Sequence, residues 1–258
     1  MLILIGLGLG TKDLSALAVE EIKDADELLL ETYTASIPDG CIGFIKEQSG
    51  RSPRQLRRKD LEDDLKATVS SAKNKKVAIL VPGDPLIATT HSIILNEAKA
   101  QGIECKVIHA PSVFSVAIGE SGLDVYKFGP TVTLPFWSDR YKPTSFIDSI
   151  SRNMQNGQHT LVLLDIEQEH SRPMKISEAW RILRDAISAS KNKGIDNETR
   201  VIILANLGRT DEKIRRSTVA GMPMLEKELE GKVLSLVFPG QLSFAEEDNL
   251  ERAVVSTA

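Results

Sequence analysis

The sequence predicts two α/β domains, and three observations lead there. Over residues 1–129, short runs of Val, Ile and Leu alternate with helix-patterned segments, as in a parallel sheet buried on both faces. A Gly129-Pro130 pair then interrupts the pattern, and the strands and helices that follow lose the regular βαβ alternation. The second half therefore reads as another α/β domain, residues 130–258, with a mixed sheet. Composition agrees: 258 residues, 41% hydrophobic and 26% charged, are enough for a sizeable core and describe a globular protein rather than a disordered or membrane one.

The net charge of −4 argues against a general nucleic-acid binder. Cys41 and Cys105 have no motif spacing, so neither a disulfide framework nor a zinc site is expected, and a reducing cytoplasm fits. The opening MLILIGLGLG lacks a basic region and a cleavage site, and it is half the length of a membrane span. It reads as a first strand.

That strand covers residues 2–5 and runs into Gly6-Leu-Gly-Leu-Gly10. Asp13 is positioned to cap a helix over 14–24, where Leu14, Leu17, Ala18 and Ile22 share a face. Residues 28–30 form a second strand ending at Glu31. Strand, glycine loop, helix, strand and acid suggest dinucleotide binding, but the glycines read G-x-G-x-G where the fingerprint needs G-x-G-x-x-G, and Thr11 occupies the third position. Residues 40–48 read as a helix. Arg51, Arg54, Arg57, Arg58 and Lys59 make a basic segment, read as a solvated strand and its flanks because no aromatics interleave to stack on bases. Residues 60–75 read as one amphipathic helix.

The most informative stretch is VAILVPGDPLIATTH, residues 77–91. A β-branched strand ends at Pro82-Gly83-Asp84-Pro85, which can continue neither strand nor helix. Thr89 and Thr90 offer cap hydroxyls to a helix reaching residue 100. The carboxyl end of a strand in an open α/β sheet is where ligands bind, and there Asp84 presents one exposed carboxylate. A further strand, 103–108, leads into HAPSVFS, where Ser112 can cap a helix or bind a ligand and His109 is either an acid–base group or structural.

In the second half, strands are expected at 131–134, 159–165, 200–205 and 233–238, with an edge strand at 213–219. Helices are expected at 143–155, 175–190, 222–229 and 244–255.

VPGDPLIATTH, HAPSVFS and GLDVYKFG, with IGLGLG and YTAS at residues 33–36, resemble the diphthine synthases of the tetrapyrrole-methylase-like superfamily, archaeal type. The motifs run in order over residues 1–240. The resemblance implies a tetrapyrrole-methylase-like fold with S-adenosyl-L-methionine in a cleft between the domains, no metal, and a homodimer with neither membrane nor direct nucleic-acid partners. It implies methylation of elongation factor 2, at the amino group of an aminocarboxypropyl-histidine. The archaeal product is the trimethylated diphthine; eukaryotic relatives add a methyl ester. The cofactor positions carried over are Leu9, Asp84, Ile87, Ser112, Val113, Leu164, Leu207 and Leu234. At Leu207 the local Ala205-Asn206-Leu207 departs from the family's Ala-Arg-Ala, and Leu234 is placed by counting back from Pro239-Gly240. No general base is assigned: His109, Asp84 and Asp165 are available, and nothing places one beside the amine. Tetrapyrrole or ribosomal RNA methylation, and a catalytically silent nucleotide-binding module, are the competing readings.

Overall fold

The first sheet has five parallel strands, and the three central ones are mostly apolar runs buried on both faces. The computed structural model describes residues 1–33, 35–167, 172–190 and 194–252. Its first strands and helices are β1 (Leu2–Gly6), α1 (Ala16–Asp24), β2 (Glu27–Glu31), α2 (Cys41–Ser49), β3 (Arg54–Leu56), α3 (Arg58–Glu62), α4 (Leu65–Ser70), β4 (Val77–Val81), α5 (Ser92–Ala100), β5 (Cys105–Ile108) and α6 (Val113–Glu120). The strand order is β3-β2-β4-β1-β5. Alternate residues of a strand face opposite ways. Leu2 and Leu4 therefore join a core with Val77, Ile79, Val69 and Ile94, while Ile3 and Ile5 join a second core with Ala78, Leu80, Ile22 and Ile45.

The remaining elements are β6 (Val132–Leu134), α7 (Ser145–Gln155), β7 (Thr160–Leu164), β8 (Ile166–Glu167), β9 (Arg172–Pro173), α8 (Ile176–Ala189), β10 (Arg200–Ala205), β11 (Lys213–Thr218), β12 (Leu234–Phe238) and α9 (Phe244–Arg252). The second sheet has the order β11-β10-β12-β7-β6; β6 and β7 are parallel and the other pairs antiparallel, so the sheet is mixed. One face carries Phe146, Ile150, Ala179, Leu183 and Ala186 of α7 and α8 against Val201, Ile203, Leu236 and Phe238. As the weak alternation of its sequence suggests, β11 lies at the edge.

The chain divides into two compact units, Met1–Phe114 and the residues from Ser115 onward. The sequence reading draws its boundary later, at Gly129-Pro130. Four elements differ from expectation. Ser15, not Asp13, caps α1, accepting from the Ala18 N–H at 3.1 Å. The helix expected over 60–75 is α3, α4 and a 3₁₀ turn at Ser71–Lys73, broken where Asp63 and Asp64, poor helix formers, adjoin. Its apolar stripe nevertheless stays buried, with Leu61, Val69 and Ala72 in one core. Thr89 and Thr90 do not cap α5, which starts after His91. The helix expected at 222–229 is only a 3₁₀ turn, Met222–Leu225, with Pro223 inside it. Residues 253–255 of the expected last helix, and Thr34 of the YTAS motif, lie outside the described residues.

The basic segment folds as its sequence suggests. Arg51 donates to the carbonyls of Ile22, Lys23 and Asp26 around the end of α1. Arg58 pairs with Glu62 at 2.7 Å, and Arg54 lies 3.6 Å from Glu27. Among the described residues no helix is long and apolar enough to cross a membrane.

Candidate functional site

In the first unit, adjacent strands β4, β1 and β5 end side by side, and the loops that follow them hold one another. Gly8 and Gly83 exchange reciprocal backbone hydrogen bonds, 3.1 Å from Gly8 N–H and 2.9 Å from Gly83 N–H. Both are left-handed, with φ of +73° and +71°, conformations glycine adopts without steric cost. At Gly6, a Cβ would stand 2.7 Å from both Ala110 Cβ and the Gly83 carbonyl oxygen. The three loops therefore meet at Gly6, where only hydrogen fits.

Asp13 works on this arrangement rather than on α1. Its Oδ2 accepts from the backbone N–H groups of Leu9 at 2.9 Å and Gly10 at 2.8 Å. That contact fixes the loop carrying the half-buried Leu9.

Asp84 is buried, at 4% exposure, where the sequence reading makes it an exposed carboxylate. Oδ1 accepts from Leu86 N–H at 2.9 Å; Oδ2 accepts from Ala110 N–H at 3.2 Å and sits 2.8 Å from His109 Nδ1. The loop folds back on itself and draws its carboxylate inward, a local turn that residue type alone does not reveal. Asp84 thus ties the PGDP loop to the HAPS loop. The His109 side chain is 66% exposed beside it, so this histidine belongs to the loop cluster and not to the core.

Beyond Asp84 the chain stays tightly wound. The Pro85 carbonyl accepts from Thr89 Oγ1 at 2.8 Å and lies 3.2 Å from His91 Nδ1. Ala88 takes a left-handed φ of +56°, unusual for a residue with a Cβ. Next to it, Ile87 is 42% exposed. Ser112 is buried immediately before α6, and Val113 is the first residue of that helix.

The second unit places Leu164 at the end of β7, Leu234 at the start of β12 and Leu207 just beyond β10. The pairings Ala205↔Leu234 and Ser235↔Leu163 bring these positions to one edge of the mixed sheet. Leu207 and Leu234 are buried, and Leu164, paired with Leu134, packs on the core that also holds Leu234. Asn206, at the departure from the family pattern, explains itself structurally. It holds a φ of +50°, accepts from Val233 N–H through Oδ1 at 2.8 Å, and donates through Nδ2 to Asp211 at 3.0 Å. Asparagine tolerates that backbone better than most side chains. Asp165 spends both oxygens on backbone, accepting from Ile166 N–H at 2.9 Å and Phe136 N–H at 3.3 Å.

The carried-over residues therefore form two groups. Leu9, Asp84, Ile87, Ser112 and Val113 gather at the carboxyl edge of the parallel sheet; Leu164, Leu207 and Leu234 gather at one edge of the mixed sheet. The first group offers apolar side chains, a hydroxyl, and glycines where backbone can approach closely, a lining suited to a nucleoside-bearing ligand. Sequence reasoning missed the clamp by Asp13, the Asp84–His109 contact and His91. His91 is 1% exposed, and burial lowers its pKa, against an upward pull from the Glu31 carboxylate. Tyr33, next to Glu31 at the end of β2, is pushed up to about 12 by burial and that same carboxylate. Among the described residues no group of three or more His, Cys, Asp or Glu is arranged to hold a metal ion.

Comparisons with known proteins converge. Residues 1–223 match the family of Tetrapyrrole (Corrin/Porphyrin) Methylases. The diphthine synthase of Methanothermobacter thermautotrophicus is 39% identical over 251 residues, covering 97% of this chain and 94% of that protein. The diphthine methyl ester synthase of Bos taurus is 35% identical over 260 residues, covering 93% of this chain and 90% of its own. A crystal structure of a diphthine synthase superimposes with a TM-score of 0.86 at 29% identity, over 98% of this chain and 95% of the other.

Proposed function

This chain belongs to the diphthine synthases, S-adenosylmethionine-dependent methyltransferases within the tetrapyrrole methylase family, and from that premise we propose that it trimethylates the amino group of the aminocarboxypropyl-histidine of elongation factor 2 to give diphthine. The observation that carries the reading is the full-length similarity to enzymes of that name, with the substrate-narrowing motifs VPGDPLIATTH and HAPSVFS intact.

Leu9, Asp84, Ile87, Ser112 and Val113 are the residues assigned to the cofactor from the first unit, with Leu164, Leu207 and Leu234 from the second. When bound, S-adenosylmethionine supplies a methyl carbon already activated by an adjacent sulfonium. The residues that would hold it have only to keep an uncharged amine in line with that carbon, and no base of the protein is needed, since the first two transfers can release their protons to water and the third yields a quaternary ammonium with none to lose. The protein's part is to exclude alternative geometries. Orientation of this kind can contribute roughly 7–11 kcal/mol to lowering a barrier. The tight winding of residues 84–91 and the clamp on Leu9 and Gly10 support that part, since they give the apolar contacts a fixed position. Asp84 supports the loop rather than acting as a base, because backbone donors and His109 already surround both of its oxygens. A homodimer belongs to the same reading.

Incubation with S-adenosylmethionine and elongation factor 2 bearing the aminocarboxypropyl-histidine, followed by mass spectrometry of that peptide, tests the assignment. Three methyl additions are expected. No addition, with cofactor binding intact, would remove the substrate. The similarity to the bovine methyl ester synthase favours one alternative product: a fourth methyl group, on the carboxylate, which mild alkali would release.

A further inference from the structure

His91 is an odd occupant of its position. The ring is 1% exposed, its Nε2 is buried without a hydrogen-bond partner among the described residues, and the neighbouring positions on α5 that face the core are Ile94 and Ala98. A leucine or phenylalanine would fill the same space without burying an unpaired nitrogen, and that replacement is often neutral or favourable for stability. The histidine therefore has to be explained by its other nitrogen. Nδ1 lies 3.2 Å from the Pro85 carbonyl, which can only accept, so the ring is the Nδ1–H tautomer and donates there. The same carbonyl accepts from Thr89 Oγ1, and Thr89 Oγ1 in turn accepts from the His91 backbone N–H at 3.4 Å. Residues 85–91 thus close a ring of hydrogen bonds around the left-handed Ala88, with Ile87 at its exposed apex.

We propose that His91 is a positioning residue for methyl transfer: its Nδ1–H, through the Pro85 carbonyl, holds the 84–90 loop in the strained path that presents Ile87 to the cofactor. The proposal rests on the reading above that this loop binds S-adenosylmethionine. Strained backbone persists only where surrounding contacts over-determine it, and the paired donors on Pro85 are those contacts. Burial, which keeps the ring neutral, keeps Nε2 a lone pair and leaves Nδ1 as the donor. Asparagine reproduces an amide donor at the Nδ1 position, glutamine places it further out at Nε2, and leucine removes it.

The test measures binding of S-adenosylhomocysteine by calorimetry, together with hydrogen exchange at the Leu86 amide, in the wild type and in His91→Asn, His91→Leu and His91→Gln. His91→Leu is expected to bind about tenfold or more weakly, as for the loss of a buried donor. It should also speed exchange at Leu86. His91→Asn should bind within about threefold of the wild type by keeping the donor. Should His91→Leu not fold, His91→Gln takes its place with the same expected loss. Wild-type binding and exchange in His91→Leu or His91→Gln would overturn the proposal. So would a loss in His91→Asn as large as in the other two, which would make ring shape the cause. If the wild type itself failed to bind S-adenosylhomocysteine, the cofactor reading would fall, and the exchange rates would still decide the positioning role.

Discussion

Two histidine–carboxylate contacts in this protein have the same length, 2.8 Å, and opposite settings. In the first unit, buried Asp84 meets an exposed His109 among the loops assigned to the cofactor. In the second unit, His159 and Glu246 are both buried, where β7 begins and β12 has just ended. There His159 Nδ1 accepts from Gly240 N–H at 2.9 Å, so Nε2–H donates to Glu246. Glu246 also receives Lys127 at 2.5 Å and the backbone N–H groups of Asp124 and Ser243. The comparison teaches that the pair itself specifies nothing. A carboxylate shared between two loops with one side open ties those loops together. A carboxylate enclosed with every donor satisfied fastens α9 to the second sheet.

The largest effect that could break this contrast is Glu246→Ala. It strands a buried imidazole N–H, a lysine and two backbone donors, and should cost about 3–5 kcal/mol of unfolding free energy in urea titration. Cofactor affinity of the folded fraction should stay unchanged. A loss below about 1 kcal/mol would show that the buried pair is not a fastening. Next comes Asp84→Ala, which should weaken S-adenosylhomocysteine binding about tenfold while lowering stability by about 1–3 kcal/mol. Unaltered titration would take Asp84 out of the site.

Acidification sharpens the contrast more gently. Burial lowers the His159 pKa below the ordinary value of 6.5, only partly opposed by Glu246. As pH falls through 6.5 the unfolded chain takes up that proton first, and stability declines. For Glu246, burial pushes upward but is outweighed by Lys127, the Ser243 and Asp124 N–H groups and His159, which hold its pKa below 4.5. Its contribution is present above 4.5 and fades as pH drops through that range toward the folded value. Two declines in thermal midpoint are expected on acidification, and a Glu246→Gln variant should weaken the lower one, to which Glu21, Glu178, Asp211 and Glu228 also contribute. The smallest effect belongs to Arg54→Ala, whose exposed guanidinium lies 3.6 Å from the half-buried Glu27; it should change stability by less than about 0.5 kcal/mol and leave methyl transfer intact. A marked loss of transfer to elongation factor 2, but not of cofactor binding, would make the basic segment part of substrate docking.

Much of this fold is legible in the chain because burial on both faces leaves a continuous apolar signature. β10 occupies the expected 200–205, and β4 begins and ends with the VAILV run. The same logic explains the break in the 60–75 helix: periodicity reports which face is buried, and that face stays buried although the backbone kinks at Asp63-Asp64. Site residues were legible only as motifs. Spacing could show that Asp84 follows a strand; it could not show that its carboxylate turns inward to Leu86 and Ala110, since that depends on where β5 ends in space. Asp13 reads as a helix cap for the same reason, because its partners Leu9 and Gly10 lie upstream, just after the left-handed Gly8. Asn206 looks like a deviation in sequence and becomes a backbone requirement once its positive φ is known.

The strand order has a consequence for how the protein reaches this state. β1 is wholly buried, and both its partners are far along the chain: Leu2 pairs with Val77 on one side and with Cys105 on the other. Such non-local parallel pairing is slow to form. Until β4 and β5 have been made, LILIG remains an unpaired apolar strand on the nascent chain, the kind of segment that aggregates or recruits a chaperone. The Gly8–Gly83 clasp closes only when β1 and β4 are in register, so this part of the loop cluster forms no earlier than the pairing of residues 2–6 with residues 77–81.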